Sequence, residues 1–134
     1  IRSSELKGTV IEGSLIPTLI DEIPIIAILA AFADGVTTIR DAGELKVKES
    51  NRIDAMVTEL SKMGADIQGT DDGMIIKGGA PLTGAAIDSR LDHRIAMSFA
   101  TAGLAAAGTT TILQDSCIAI SYPDFFRDLA SLQI

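Results

Sequence analysis

Gly35-Val36-Thr37-Thr38-Ile39 returns as Gly108-Thr109-Thr110-Thr111-Ile112, 73 residues later. A glycine followed by a β-branched run reads as a turn feeding a short strand. Asp41 follows the first copy and Asp115 the second. An Ala-rich apolar stretch precedes both, over residues 25–33 and 95–107. A further helical pattern follows both, long over 49–63 and short over 124–132. Agreement of order, spacing and element type predicts an internal duplication.

Working outward, each unit reads as β-α-β-α-β-β. Residues 6–12 form a candidate strand. Residues 21–34 form a helix with Asp21 or Thr18 near its cap and Pro24 in the first turn, where a missing N–H costs little. Gly35 ends that helix and 36–40 is a strand. Over 49–63, Ile53, Met56, Val57, Leu60 and Met63 share one stripe, and Gly64 is the stop. Residues 65–68 and 74–77 pair as a hairpin around Asp71-Asp72-Gly73. Residues 85–88 form the next strand, and a helix starts near Asp92. The fold class is therefore α/β (α+β), one domain over residues 1–134, with internal units at about 5–80 and 81–134.

The helices after Asp21 and Arg94 are apolar nearly all round, which predicts central helices buried on every side. The helix over 49–63 has a polar face and belongs at the surface. Two central helices are too few to cover each other, which implies a missing unit or a partner.

The chain has 134 residues, enough to bury about 65–70% of its unfolded surface. At 47% apolar and 22% charged it is neither disordered nor collagen-like. With 11 basic and 18 acidic residues the net charge is -7. That balance argues against nucleic acid and anionic membrane as partners, since both need a basic face. The single cysteine, Cys117, excludes an internal disulfide and a Cys-based zinc site. The longest apolar run, residues 23–33, is 11 long, where a spanning helix needs about 20. The first residues carry no signal-peptide core, so the cytoplasm is the expected location. A start at Ile1 fits either a fragment or a processed chain.

Polar residues gather where helices begin. Lys48 and Arg52 share a face if one helix includes both. Two cations at a helix N-terminus oppose the dipole, and an anionic ligand there would relieve them. The alternative is two solvated cations beside Glu49 and Asp54. Arg94 opens an apolar helix and needs a partner: Asp88, Asp92, or the carboxylate or phosphate of a ligand. Asp21 reads locally as a helix cap, Glu22 as solvated or paired, His93 as a helix-cap or packed histidine, and Cys117 as a packed side chain.

Leu45-Lys46-Val47-Lys48-Glu49-Ser50-Asn51-Arg52, Asp92-His93-Arg94-Ile95-Ala96-Met97 and Ser121-Tyr122-Pro123-Asp124-Phe125-Phe126 resemble the EPSP synthase (3-phosphoshikimate 1-carboxyvinyltransferase) family. So does Leu15-Ile16-Pro17 with Asp21-Glu22-Ile23-Pro24. The resemblance runs in order through nearly the whole chain and implies the C-terminal portion of a longer enzyme. It implies part of one lobe of the enolpyruvyl transferase fold, built from repeated β-α-β-α-β-β units, with the site in a cleft whose other wall lies in the missing N-terminal part. The implied reaction joins phosphoenolpyruvate to the 5-hydroxyl of shikimate 3-phosphate by addition and then elimination of phosphate, with no metal or organic cofactor. Asp21 and Glu49 are the implied catalytic groups. Asp21 and Lys48 would contact shikimate 3-phosphate, and Arg52 and Arg94 would clamp phosphoenolpyruvate. Ile120 stands where some members carry lysine, and Glu44 where some carry asparagine. Two other readings remain: a carboxyvinyltransferase acting on a UDP-linked amino sugar, and a non-catalytic anion-binding module. The isolated chain is expected to be inactive and to self-associate.

Overall fold

The two Thr-rich repeats fold alike. In the computed structural model, which describes residues 3–132, they become β2 (Val36–Ile39) and β6 (Thr111–Leu113). Each follows a glycine in the left-handed region, Gly35 at φ 97° and Gly108 at φ 85°. Each pairs in parallel with the strand before its central helix. β1 (Val10–Ile11) sets Ile11 against Ile39, and β5 (Ala86–Asp88) sets Ile87 against Ile112. The likeness extends to a tight contact. A Cβ on Gly8 would strike the backbone of Val36, and one on Gly84 the backbone of Thr109. Gly8 and Gly84 donate in turn to Asp34 O and Ala107 O, both at 2.7 Å.

The first repeat runs through β1, α1 (Ile16–Leu19), α2 (Ile23–Phe32), β2, α3 (Arg52–Lys62), β3 (Asp66–Gly69) and β4 (Met74–Lys77). Its sheet has the order β1-β2-β4-β3, with β4 antiparallel to both neighbours. The hairpin turns at Asp71-Asp72-Gly73, with Asp66 opposite Lys77 and Gly69 opposite Met74. The second repeat supplies β5, α4 (His93–Gly103), β6 and α5 (Phe125–Ser131). Short 3-10 turns at Gly43–Val47 and Asp115–Ile120 follow β2 and β6. The result is a mixed α/β domain in which α2 and α4 pack on each other and α3 on β3. Ile23, Ile39, Met56, Leu60, Ile76 and Phe99 are fully enclosed in one core. Among the described residues no single helix is long and apolar enough to cross a membrane.

Four sequence expectations change. The strand expected over 6–12 shrinks to β1 and an isolated bridge at Lys7, because Gly8 is pressed onto Val36. The helix expected from residue 49 starts at Arg52, because Asn51 adopts the extended cap conformation and its side chain accepts from Asp54 N–H. The residue matching Asp41 is Gln114, one before Asp115: both are left-handed, at φ 62° and 58°. The central helices are not enclosed on every side. Leu29 on α2 is 47% exposed and Ile25 and Ile26 are half-buried, because α4 covers only one flank.

One polar contact crosses this apolar interior. Arg52, at the first position of α3, is 1% exposed, and Asp92, the cap of α4, is 0% exposed. Arg52 Nε donates to Asp92 Oδ2 at 2.9 Å, joining the starts of two helices from different repeats. Burial pushes the Asp92 carboxyl up, but the hydrogen bond and charge of Arg52, with donors from Ser50 and the Arg94 N–H, hold it below its ordinary value. A carboxyl lowered in the folded state contributes stability that is complete above its unfolded pKa and lost as pH falls toward its folded one. Asp92→Ala is expected to cost about 3–5 kcal/mol at pH 7, because it strands a buried guanidinium. Urea unfolding followed from pH 7 into the acid range should show the wild type losing that advantage as pH drops below the usual carboxylate range. A gap that stays constant with pH would contradict it.

Candidate active site

Three chain segments deliver charged side chains to one place: the loop before α2, the link from β2 to α3, and the turn into α4. Lys48 lies outside α3, in extended backbone at the end of the 3-10 turn Gly43–Val47. It therefore shares no helical face with Arg52. The two still meet, because Lys48 Nζ stands 4.0 Å from Asp21 Oδ1, the atom that accepts from Arg52 Nη1 at 2.9 Å.

Asp21 is not a helix cap. Glu22 holds the cap position of α2 in helical backbone and makes no side-chain cap bond. Pro24 near the helix start lacks an N–H, which removes one of the donors that a cap would satisfy. The Asp21 carboxylate is free to face cations instead. Arg94 likewise pairs with neither Asp88 nor Asp92. Its guanidinium reaches Glu22 Oε1 at 3.4 Å and Asp21 Oδ2 at 3.9 Å. Asp88 Oδ1 accepts from the Arg90 N–H and Asp92 Oδ1 from the Arg94 N–H, both at 2.9 Å.

Arg52 is the hub. Beyond Asp92 and Asp21, its Nη2 donates to Glu49 Oε2 at 2.7 Å. Four donor contacts therefore surround one enclosed guanidinium, counting the longer Nη2 contact to Asp92 Oδ1 at 3.4 Å. The solvated-cation reading of Arg52 does not hold: the side chain is buried, and although Glu49 pairs with it, Asp54 pairs with Arg90 instead. Two further residues join. Ser50 Oγ donates to Asp92 Oδ2 at 3.0 Å, and Glu44 Oε1 takes the Lys48 ammonium at 2.7 Å. The readable signal for the second was the i,i+4 spacing; nothing local pointed to the first.

Protonation follows from these contacts. The Arg52 hydrogen bond, with the charges of Arg94 and Lys48, holds the Asp21 carboxyl below its ordinary value against slight desolvation. The Glu44 hydrogen bond raises Lys48. Burial lowers Arg52, but the bonds and charge of Asp92 and Asp21 more than restore it. At neutral pH the cluster holds an ionised, 45% exposed Asp21 between a buried and a 36% exposed arginine. Such a group can take a proton, and the cations beside it can hold an anion. A cavity of about 250 Å³ opens beside Asp21 and Arg94, floored by Ile25, Met97, Tyr122 and Phe125. Cys117 is buried and packs its sulfur 3.8 Å from Ser89 Oγ. Ile120 projects into solvent. Among the described residues no group of three or more His, Cys, Asp or Glu side chains could hold a metal ion.

The chain is similar to known proteins along its whole length. It is 62% identical over 132 residues to the 3-phosphoshikimate 1-carboxyvinyltransferase of Alkaliphilus oremlandii, covering 98% of this chain and 31% of that protein. It is 58% identical over 133 residues to that of Shouchella clausii, covering 99% and 31%. The chain thus spans about three tenths of the relatives it matches. Among solved structures, EPSP synthase from Acinetobacter baumannii superposes with a TM-score of 0.89 at 43% identity, over 95% of this chain and 30% of that one. The enolpyruvyl transferase NikO from Streptomyces tendae shares the fold, with a TM-score of 0.67 at 24% identity, over 96% and 28%. The sequence profile of EPSP synthase (3-phosphoshikimate 1-carboxyvinyltransferase) matches residues 1–129, so the chain belongs to the EPSP synthase family.

Proposed function

We propose that this chain is the C-terminal portion, built from units at about 5–80 and 81–134, of a 3-phosphoshikimate 1-carboxyvinyltransferase. The whole enzyme transfers the carboxyvinyl group of phosphoenolpyruvate to the 5-hydroxyl of shikimate 3-phosphate and releases phosphate, a step of aromatic amino-acid biosynthesis in the cytoplasm. The observation that carries this reading is the convergence of Asp21, Lys48, Glu49, Arg52 and Arg94 in one ion network. Asp21 and Glu49 are the proton-transfer groups, Asp21 and Lys48 hold shikimate 3-phosphate, and Arg52 and Arg94 hold phosphoenolpyruvate. No cofactor takes part.

The resting ion pairs suit that chemistry. Addition needs a base for the 5-hydroxyl proton and a donor for the methylene carbon; elimination returns a proton and expels phosphate. Asp21 is ionised at neutral pH, as a base must be. Arg94, the more exposed arginine, meets the anion first. Anionic oxygens that take over the outer donors of Arg52 release Asp21 and Glu49 from it, while Asp92 keeps the guanidinium in place. Substrate binding then frees the carboxylates that move protons.

Arg94→Lys in the full-length enzyme is expected to weaken phosphoenolpyruvate binding about ten- to a hundred-fold, because an ammonium cannot hold two oxygens in a fork. Unchanged affinity at saturating shikimate 3-phosphate would take Arg94 out of the site. Asp21→Asn should lower kcat far more than it raises either KM, since the amide keeps the size but accepts no proton; near-normal turnover would reject Asp21 as a base. The chain alone should release no phosphate from the two substrates, because an open cleft leaves its cations in water and its substrates unoriented. It should also sediment as an oligomer through exposed apolar residues such as Leu29 and Leu104. Turnover by the chain alone would mean that the site is complete in it.

A further inference from the structure

The turn that carries α4 into the site is held from outside the site. Ser89–Asp92 closes with the Asp92 N–H on Ser89 O at 2.9 Å, and both central residues are left-handed, Arg90 at φ 53° and Leu91 at φ 56°. Two successive positive φ values are the requirement of a type I′ turn, which selects Asn, Asp and Gly. Arginine and leucine do not favour left-handed backbone, and Leu91 is 61% exposed, so its packing does not hold the turn. Asp88 Oδ1 accepts the Arg90 N–H at 2.9 Å and Ser89 Oγ donates to Gln114 O at 3.3 Å, and α3 adds the side-chain hold. Arg90 Nη1 donates to Asp54 Oδ2 at 2.6 Å and Nη2 to Thr58 Oγ1 at 3.5 Å. Next to Thr58 on the same helix, the enclosed Glu59 carboxylate accepts the Asp88 N–H at 3.0 Å.

We infer that Arg90 is a positioning residue for the site: by clamping the left-handed turn to α3 through Asp54 and Thr58, it sets where Asp92 and Arg94 stand relative to Arg52. The inference rests on the anion-holding role proposed above for Arg52 and Arg94. Its physical basis is a shared ruler. Arg52 is the first residue of α3, and Asp54, Thr58 and Glu59 lie on that same helix, so a turn fastened to them is in register with Arg52. The Arg90–Asp54 pair is partly exposed, at 29% and 60%, and such pairs add little to global stability. Non-glycine residues in left-handed backbone persist where their surroundings over-determine them. A weak clamp of this kind matters to the turn more than to the fold.

The test is made in the full-length enzyme with Arg90→Ala, Asp54→Ala, the double variant and Arg90→Lys. Steady-state kinetics with phosphoenolpyruvate and shikimate 3-phosphate are combined with amide hydrogen exchange. Arg90→Ala is expected to raise KM for phosphoenolpyruvate about tenfold, with a much smaller change in KM for shikimate 3-phosphate. Asp54→Ala should give the same defect and the double variant no more. Arg90→Lys, which keeps the charge but cannot span Asp54 and Thr58, should fall between. Exchange over residues 88–94 should quicken in the alanine variants while β2 and β4 keep their protection. Unchanged KM for phosphoenolpyruvate in a folded Arg90→Ala enzyme, an additive double variant, or a fall in kcat that only tracks lost folded protein would each overturn the inference. If the wild-type enzyme does not turn over these substrates, the functional reading fails by itself. Exchange then decides the clamp: protection of 88–94 that is unchanged in Arg90→Ala overturns it, and local loss of protection supports it.

Discussion

A guanidinium with almost no access to water cannot stand in a protein interior unless carboxylates surround it. Arg52 meets that condition with Asp92 beneath and with Asp21 and Glu49 above. Everything distinctive in the arrangement follows from satisfying it. The link from β2 must bring Glu49 close before α3 begins, the loop before α2 must present Asp21 outward rather than as a cap, and α4 must start at Asp92. The charge that organises the site is also a fixed point of the fold, and three segments converge because one side chain requires them to.

The two halves of the chain differ in where they carry this charge. β2 and β6, the 3-10 turns after them, and α3 and α5 occupy matching places in the two repeats. The residue 73 positions after Arg52 is Phe125, which also opens its helix. Where the first repeat sets a cation, the second sets an aromatic ring, stacked edge-on against Tyr122 and Phe126. One backbone plan thus supplies a charged centre from one copy and an apolar flank of the neighbouring cavity from the other.

Much of the fold was legible because its signals are local. Asp71-Asp72-Gly73 between alternating apolar residues gave the hairpin, Gly64 ended α3, and the repeated Thr-rich segments gave the strands, whose parallel pairing came only with the structure. Boundaries slipped where two local signals competed. Glu49, Ser50 and Asn51 could each open a helix, and the Asn51 cap decided it. The site was legible as a set of residues and not as a set of partnerships. Closeness in sequence put Glu49 beside Arg52, whereas the helical spacing read for Lys48 and Arg52 did not hold and the two meet through Asp21. Spacing says nothing about Asp92, 40 residues on, or about Asp21, whose role depends on whether its helix needs a cap. The family motifs supplied those residues, and the contacts among them came only with the tertiary structure.

The double duty of Asp92 narrows what evolution can do at that position. Its Oδ1 caps α4 on the Arg94 N–H and its Oδ2 neutralises Arg52. Serine, threonine and asparagine can cap a helix but carry no charge. Glutamate carries the charge on a longer stem that places it beyond the first turn it would have to cap. While Arg52 remains buried, aspartate alone meets both demands. Replacing Asp92 alone therefore forfeits the cap, the counter-charge or both, so a change there has to be matched at Arg52.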